Sequence, residues 1–201
     1  MSKTIRIGID PSINCTGVCV WDPDTGTHQY FMIPSKMTKK MKEFNNKYIH
    51  LAPYNKQQTD SQDYSIKEQT KFDNIYNICK IIDDIVAWQD DLEYDDYGFP
   101  EYSDIEVYME GVSYGSVGSA ALVDLSFLNA SIRMVLKQRG IKFTIVSPTS
   151  LKKFACANGQ AEKDIMIDAW RRMDPTISNI KDIKVDDLAD SYFLAHYNFA
   201  S

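Results

Sequence analysis

Thr4-Ile-Arg-Ile-Gly-Ile-Asp10 decides how this chain is read. Ile5, Ile7 and Ile9 alternate with Thr4, Arg6 and Gly8, a period of two that predicts a strand with one buried face and with Asp10 at its end on the other. Ile105-Glu-Val-Tyr-Met-Glu110 repeats the pattern, with Ile105, Val107 and Met109 on one face and Glu110 at the end. Laid parallel and adjacent, two such strands present both carboxylates at the carboxyl edge of one sheet, where open α/β sheets hold their ligands.

A third contribution comes from Val185-Asp-Asp-Leu-Ala-Asp-Ser-Tyr-Phe-Leu-Ala195, the start of a mostly apolar helix. Asp187 and Asp190 share a face that continues to Leu194, so both are expected to turn toward packed interior. Ionised carboxylates are costly to desolvate there, and a cation is the usual compensation. An all-oxygen donor set predicts magnesium or manganese rather than zinc. Asp186 suits the positive end of the helix dipole and is left outside the set, although Asp187 could serve the dipole as well. His196 lies half a turn round the helix from Asp187 and is read as a packed or exposed histidine rather than a ligand.

The rest of the chain supplies a sheet for these acids. Pro11-Ser-Ile-Asn-Cys-Thr-Gly17 reads as a turn, Val18–Trp21 and His28–Ile33 as strands, and Asp22-Pro-Asp-Thr-Gly26 as the hairpin between them. Three antiparallel strands are therefore expected first. Phe72, Ile75, Cys79, Ile82 and Val86 recur at helical spacing over 65–88 and predict a crossover helix before the strand that ends in Glu110. After Gly111-Val-Ser-Tyr-Gly-Ser-Val-Gly118, a helix is predicted over 119–139 and capped by Gly140. Its apolar set of Leu122, Leu125, Leu128, Ile132 and Leu136 is wide enough for a sheet on one side and a second subunit on the other. Lys142–Val146 is the fifth strand. Ser147 or Thr149 caps a short helix over 151–155, a turn at Asn158-Gly159 follows, and a further helix is predicted over 160–172. The expected fold is α/β, a five-stranded mixed sheet of three antiparallel and two parallel strands flanked by helices.

With 201 residues and 44% hydrophobic content the chain can bury a full core, and it is read as one domain over 1–201 with polar insertions near 35–63 and 90–104. No apolar run approaches the roughly 20 residues that span a bilayer, and no signal-peptide layout precedes the first strand. A cytoplasmic protein is expected, without a membrane partner. Cys15, Cys19, Cys79 and Cys156 lack metal-binding or disulfide spacing and are read as reduced, packed thiols. The net charge of −6 argues against a uniformly cationic nucleic-acid coat. Much of the acid falls in 90–104, whereas lysines gather at Lys36, Lys39, Lys40 and Lys42 and again at Lys152, Lys153 and Lys163.

The ordered set Gly8-Ile-Asp-Pro11 with Thr16-Gly17, Glu110 at a strand end, Val146-Ser-Pro-Thr-Ser-Leu-Lys-Lys153, Gly159-Gln-Ala-Glu-Lys163 and Asp187-Leu-Ala-Asp190 resembles the RuvC family of Holliday junction resolvases, within the ribonuclease H-like superfamily. The resemblance implies metal-binding acids at Asp10, Glu110, Asp187 and Asp190 and active-site lysines at Lys152 and Lys163. It implies two magnesium or manganese ions per site and a homodimer that cuts a four-way DNA junction in two strands. Lys152, Lys153, Lys163 and Tyr114 are the expected DNA contacts, Tyr114 being the nearest candidate for the family's base-wedging aromatic. Ser12 stands where the family usually has glycine, and the insertions lengthen the path from Asp10 to Glu110, as in a divergent, phage-type branch.

The chemistry agrees with the resemblance. Hydrolysis of an anionic phosphodiester needs concentrated positive charge and an aligned water, which a pair of divalent ions supplies. Products with 5′-phosphate and 3′-hydroxyl ends are expected. Three other readings stand beside this one. An actin-like ATPase shares the Gly-x-Asp strand and Thr-Gly turn but needs a second nucleotide-binding half, for which this sequence ends too soon. A non-catalytic junction-binding protein would not need all four acids. A ribonuclease H-like nuclease acting on flaps or RNA:DNA hybrids would keep the chemistry and change the substrate.

Overall fold

Alternation in the sequence becomes two differently covered faces of one sheet. The structure, a computed structural model, describes residues 4–43, 48–89, 93–94, 100–101, 104–112, 120–177 and 185–197. The strands are β1 (Thr4–Asp10), β2 (Cys15–Asp22), β3 (Thr27–Pro34), β4 (Ile49–Leu51), β7 (Asp104–Glu110) and β8 (Lys142–Val146), in the spatial order β4-β3-β2-β1-β7-β8. Between β4 and β7 in sequence lies a separate ribbon of β5 (Glu93–Tyr94) and β6 (Pro100–Glu101). β1 pairs antiparallel with β2 and parallel with β7, so it sits at the centre, and β7 pairs parallel with β8.

Ile5, Ile7, Ile9, Val107 and Met109 are buried on one face under α2 (Tyr64–Gln89) and α3 (Ala120–Gln138), against Ile78, Ile82, Leu128, Ile132 and Leu136. On the opposite face lie Arg6, Gly8 and Asp10, alternating with the isoleucines as the pleat requires. That face is covered by α6 (Asp186–Ala195), which buries Leu188, Tyr192, Leu194 and Ala195 and is backed by Trp170 of α5 (Lys163–Met173) and Leu151 of α4 (Pro148–Cys156). Gly8 makes this approach feasible. A Cβ at that position would stand 1.9 Å from the Ser191 carbonyl oxygen and 2.5 Å from the Ala195 amide nitrogen.

The five expected strands are present, and a sixth extends the sheet: β4 runs parallel to β3, pairing His50 with Phe31. Three residues are too short to show a period of two, so 35–63 reads as featureless although Ile49 is buried within it. The same segment also holds the short helix α1 (Lys39–Lys42), capped by Thr38. Ser147, rather than Thr149, caps α4, accepting from the Ser150 amide at 3.1 Å. α5 begins at Lys163, three residues later than expected, after Gln160, Ala161 and Glu162 have formed the turn into it.

A buried polar knot fastens α5 to the sheet. The Tyr30 hydroxyl donates to Asp174 at 2.5 Å and accepts from the Trp170 indole at 3.1 Å, while Asp174 also takes the Thr176 amide and hydroxyl. Beside it His196 stacks on Trp21 and faces His28, with 3.2 Å between their Nε2 atoms. Of the two alternatives that the sequence leaves open, His196 is the packed one. Among the described residues, no helix is long and apolar enough to cross a membrane.

Candidate active site

β1 and β7 are parallel and in register, Ile9 opposite Met109, so Asp10 and Glu110 leave the same edge of the sheet side by side. Both fall on the α6 face, because each is one step out of phase with the buried aliphatic residues of its strand. Gly17 of β2 pairs with Asp10 and brings α6 to this edge, for a Cβ on Gly17 would lie 2.2 Å from the Asp187 carbonyl oxygen. Asn129 of α3 steadies the other acid, donating to the Glu110 carbonyl at 2.9 Å, and Gly111 donates to Val146 at 2.8 Å. The Asp10–Ser12 turn is closed locally. Thr16 Oγ1 donates to the Ser12 carbonyl at 2.8 Å, and the Tyr54 hydroxyl pins Ile13 through its carbonyl at 2.6 Å. Ser12 is accommodated in that turn, its hydroxyl accepting from the Asn14 and Cys15 amides.

The four predicted acids act on one another. Asp10 is 7% exposed, and burial pushes its carboxyl well above the ordinary range, followed by repulsion from Glu110, Asp190 and Asp187. Burial likewise raises Glu110, against the opposing pull of its hydrogen bond with Asp10 and of Lys152 and Lys163. A hydrogen bond between two carboxyls requires one of them to carry the proton. Asp187 is pushed up to about 7, chiefly by burial and then by Asp186. Asp190 is also pushed up to about 7, by burial and then by Glu110 and Asp187. Shared elevation by desolvation and like charge marks groups that resist being ionised together.

The lysines divide. Lys152 of α4 is half-buried and lowers Glu110 electrostatically. Lys163 opens α5 and forms an ion pair with Asp186, whose hydrogen bond raises the ammonium pKa; its charge also reaches Asp187 and Asp190. Lys153 is exposed on α4. Tyr114 lies outside the described residues.

Two further residues stand beside the four acids. Asp186, which the sequence alone assigns to the helix dipole, pairs with Lys163 and adds negative charge beside Asp187 and Asp190. The signal was available, since Asp186 and Asp190 are four apart and share a helix face. Cys15, at the start of β2, hydrogen-bonds Asp187, and burial holds its thiol protonated. Nothing in the spacing of the cysteines points to that contact.

The donor set fits hard divalent cations: four carboxylates, Asp10 buried and the other three half-buried, that repel one another, with two ammonium groups at their margin. Among the described residues, no three His, Cys, Asp or Glu side chains are already closed around a single point. The four acids thus act on one another electrostatically without forming a finished cage.

No protein-family model matches the sequence, and no curated protein sequence matches it. Solved structures do. The chain is similar to the structure of RuvC from Thermus thermophilus, at 14% identity and a TM-score of 0.53, covering 96% of this chain and 91% of that one. It is similar also to T. thermophilus RuvC in complex with a Holliday junction substrate, at 11% identity and a TM-score of 0.54, covering 96% of this chain and 90% of that one. At such identities the likeness establishes the fold alone, which this chain shares with those two structures.

Proposed function

We propose that the chain is a divalent-metal-dependent endonuclease that cuts four-way or other branched DNA. The observation that carries this is the electrostatic convergence of Glu110, Asp187 and Asp190 on buried Asp10, from two strands and a helix far apart in sequence. Junction DNA as the substrate is supported by the fold shared with a RuvC solved on a Holliday junction.

Asp10, Glu110, Asp187 and Asp190 would hold two magnesium or manganese ions. Such a pair, when bound, lowers the pKa of an attacking water and stabilises the leaving 3′ oxygen, giving 5′-phosphate and 3′-hydroxyl ends. Asp10, from the central strand, hydrogen-bonded to Glu110 and under the charge of Asp187 and Asp190, would be the ligand most central to the set. Asp190 and Asp187, fixed by a helix packed directly on β1 and β2, set the far side of the pocket. Lys152 offsets negative charge near Glu110. Lys163, paired with Asp186, would meet charge building on the phosphate. Lys153 and Tyr114 complete the proposed contacts to DNA, on the backbone and on a base respectively.

One such pocket cuts one strand, and resolving a four-way junction takes two cuts. We assign the second to another copy of this chain, docked on the groove between α2 and α3. Phe72, Val123 and Phe127 are each more than half exposed there. Charged residues border the groove at Glu68, Lys71 and Asp124, as at the rim of an interface.

The test is cleavage of matched four-way, flap, RNA:DNA hybrid and linear duplex substrates with magnesium. Preference for the junction is expected. Indifference among the four would end the resolvase reading, and no cutting of any would end the nuclease reading. Asp10→Asn and Glu110→Gln should bind the junction but not cut it; equal loss of binding would assign these acids to folding.

A further inference from the structure

The insertion over 35–63 carries positive charge that the proposed chemistry does not use. Lys36, Lys39, Lys40 and Lys42 fall within eight residues that contain no acid, and Lys56 follows where the chain returns. All five are exposed. Among the described residues none of them takes part in an ion pair, whereas Arg6, Lys71, Arg139, Lys163 and Arg171 all do. The charge is not spent on holding the fold together.

Its position follows from strand register. Asp10 pairs with Gly17 of β2, Gly17 pairs with Met32 of β3, and β3 ends at Pro34, opposite Cys15. The chain therefore enters the lysine segment at the same edge of the sheet as the four carboxylates. Two strand spacings separate them laterally, about 10 Å. α1 is seated there by Met41, which packs against the core on the α6 side of the sheet, and by its Thr38 cap. Lys56 is tied to the same edge, its amide donating to the Ser35 carbonyl at 3.1 Å, and it lines a cleft with Pro11, Ser12, Ile13 and Asn14 of the turn that follows Asp10.

We infer that this insertion is a second DNA-backbone contact, in which Lys36, Lys39, Lys40, Lys42 and Lys56 grip the duplex arm flanking the bond to be cut. The inference rests on the nuclease reading. One strand of a duplex carries a phosphate about every 3.4 Å along the axis, so an offset of about 10 Å places the lysines on phosphates about three nucleotides from the scissile bond. Contacts of this kind orient the substrate without reading its sequence. They also reconcile a net charge of −6 with binding to a polyanion, by confining the cation to the edge where the acids are.

The experiment measures junction affinity against salt, with calcium in place of magnesium so that nothing is cut. Each phosphate neutralised contributes about 0.9 to the slope of log K against log salt, so Lys36→Gln, Lys39→Gln, Lys40→Gln and Lys42→Gln together should lower that slope by about 3.6. The wild type would then lose about 150-fold more affinity than the variant over a fourfold rise in salt. Replacing the same four by arginine should keep the slope. Lys137→Gln with Lys142→Gln, at the opposite edge, should leave it unchanged. A slope unaltered in the four-glutamine variant, or lowered equally by the opposite-edge pair, overturns the inference while the nuclease reading stands. Failure of the wild type to bind any DNA overturns both.

Discussion

Removing the charge from Asp187 and Asp190 should change how stability depends on pH, in a direction that only a crowded acid pocket produces. Each carboxyl is pushed up to about 7 in the folded chain, against an ordinary value of 3.8. Between pH 5 and pH 7 the unfolded chain has lost a proton that the folded chain keeps, and a raised acid makes stability fall as pH rises. Two pH units amount to on the order of 3 kcal/mol for a single such group. The two acids repel one another and do not titrate independently, so the expected loss for the pair is about 3 kcal/mol between pH 5 and pH 8. For a chain of this size that is about 6–12 °C in Tm.

The histidines act with the opposite sign and must be separated. Burial pushes His196 down to about 4 and lowers His28 as well, so the folded chain refuses protons that the unfolded chain binds below the ordinary 6.5. Their contribution to stability rises with pH up to that value. The informative quantity is therefore the difference between the wild type and Asp187→Asn with Asp190→Asn, both of which keep the histidines. Thermal unfolding in EDTA at pH 5, 6, 7 and 8 should show the wild type losing its stability relative to the variant as pH rises. Magnesium at pH 8 should raise the wild-type Tm and leave that of the variant where it was. A constant difference across the series would refute the claim that these carboxyls are held together in a desolvated pocket.

Three further perturbations probe the elements around the pocket. Lys163→Ala should slow cutting far more than it weakens junction binding, measured by single-turnover cleavage beside a binding titration; unchanged turnover would remove Lys163 from the chemistry. Gly8→Ala should cost at least about 3 kcal/mol, read by denaturant unfolding, because the new methyl meets backbone rather than a flexible side chain. A shift below about 1 kcal/mol would mean that α6 does not lie against β1 as described. Tyr30→Phe leaves the Trp170 indole and one oxygen of Asp174 without their partner in a dry core, and a loss of about 3 kcal/mol is expected. Wild-type stability in that variant would show that the knot contributes little to fastening α5.

The elements legible in the sequence are those whose instruction is local. Period-two alternation placed Asp10 and Glu110 on the same face of their strands because a pleat admits only two faces. Spacing of three placed Asp187 and Asp190 together because a helix returns to the same side at that interval. What could not be read was assigned to the wrong scale. Asp186 looks like a dipole acid when only its own helix is considered, and becomes a partner of Lys163 when α5 is folded beside it. β4 is too short to carry a pattern and exists because β3 offers it a paired edge. Gly8 and Gly17 show how the two scales join. Each is a missing side chain in a strand, unremarkable in a sequence, and each admits the backbone of α6 to within a distance that any Cβ would forbid. The acid pocket thus depends on two hydrogens as much as on four carboxylates, since without that close approach Asp187 and Asp190 would stand off from Asp10 by the thickness of a side-chain layer.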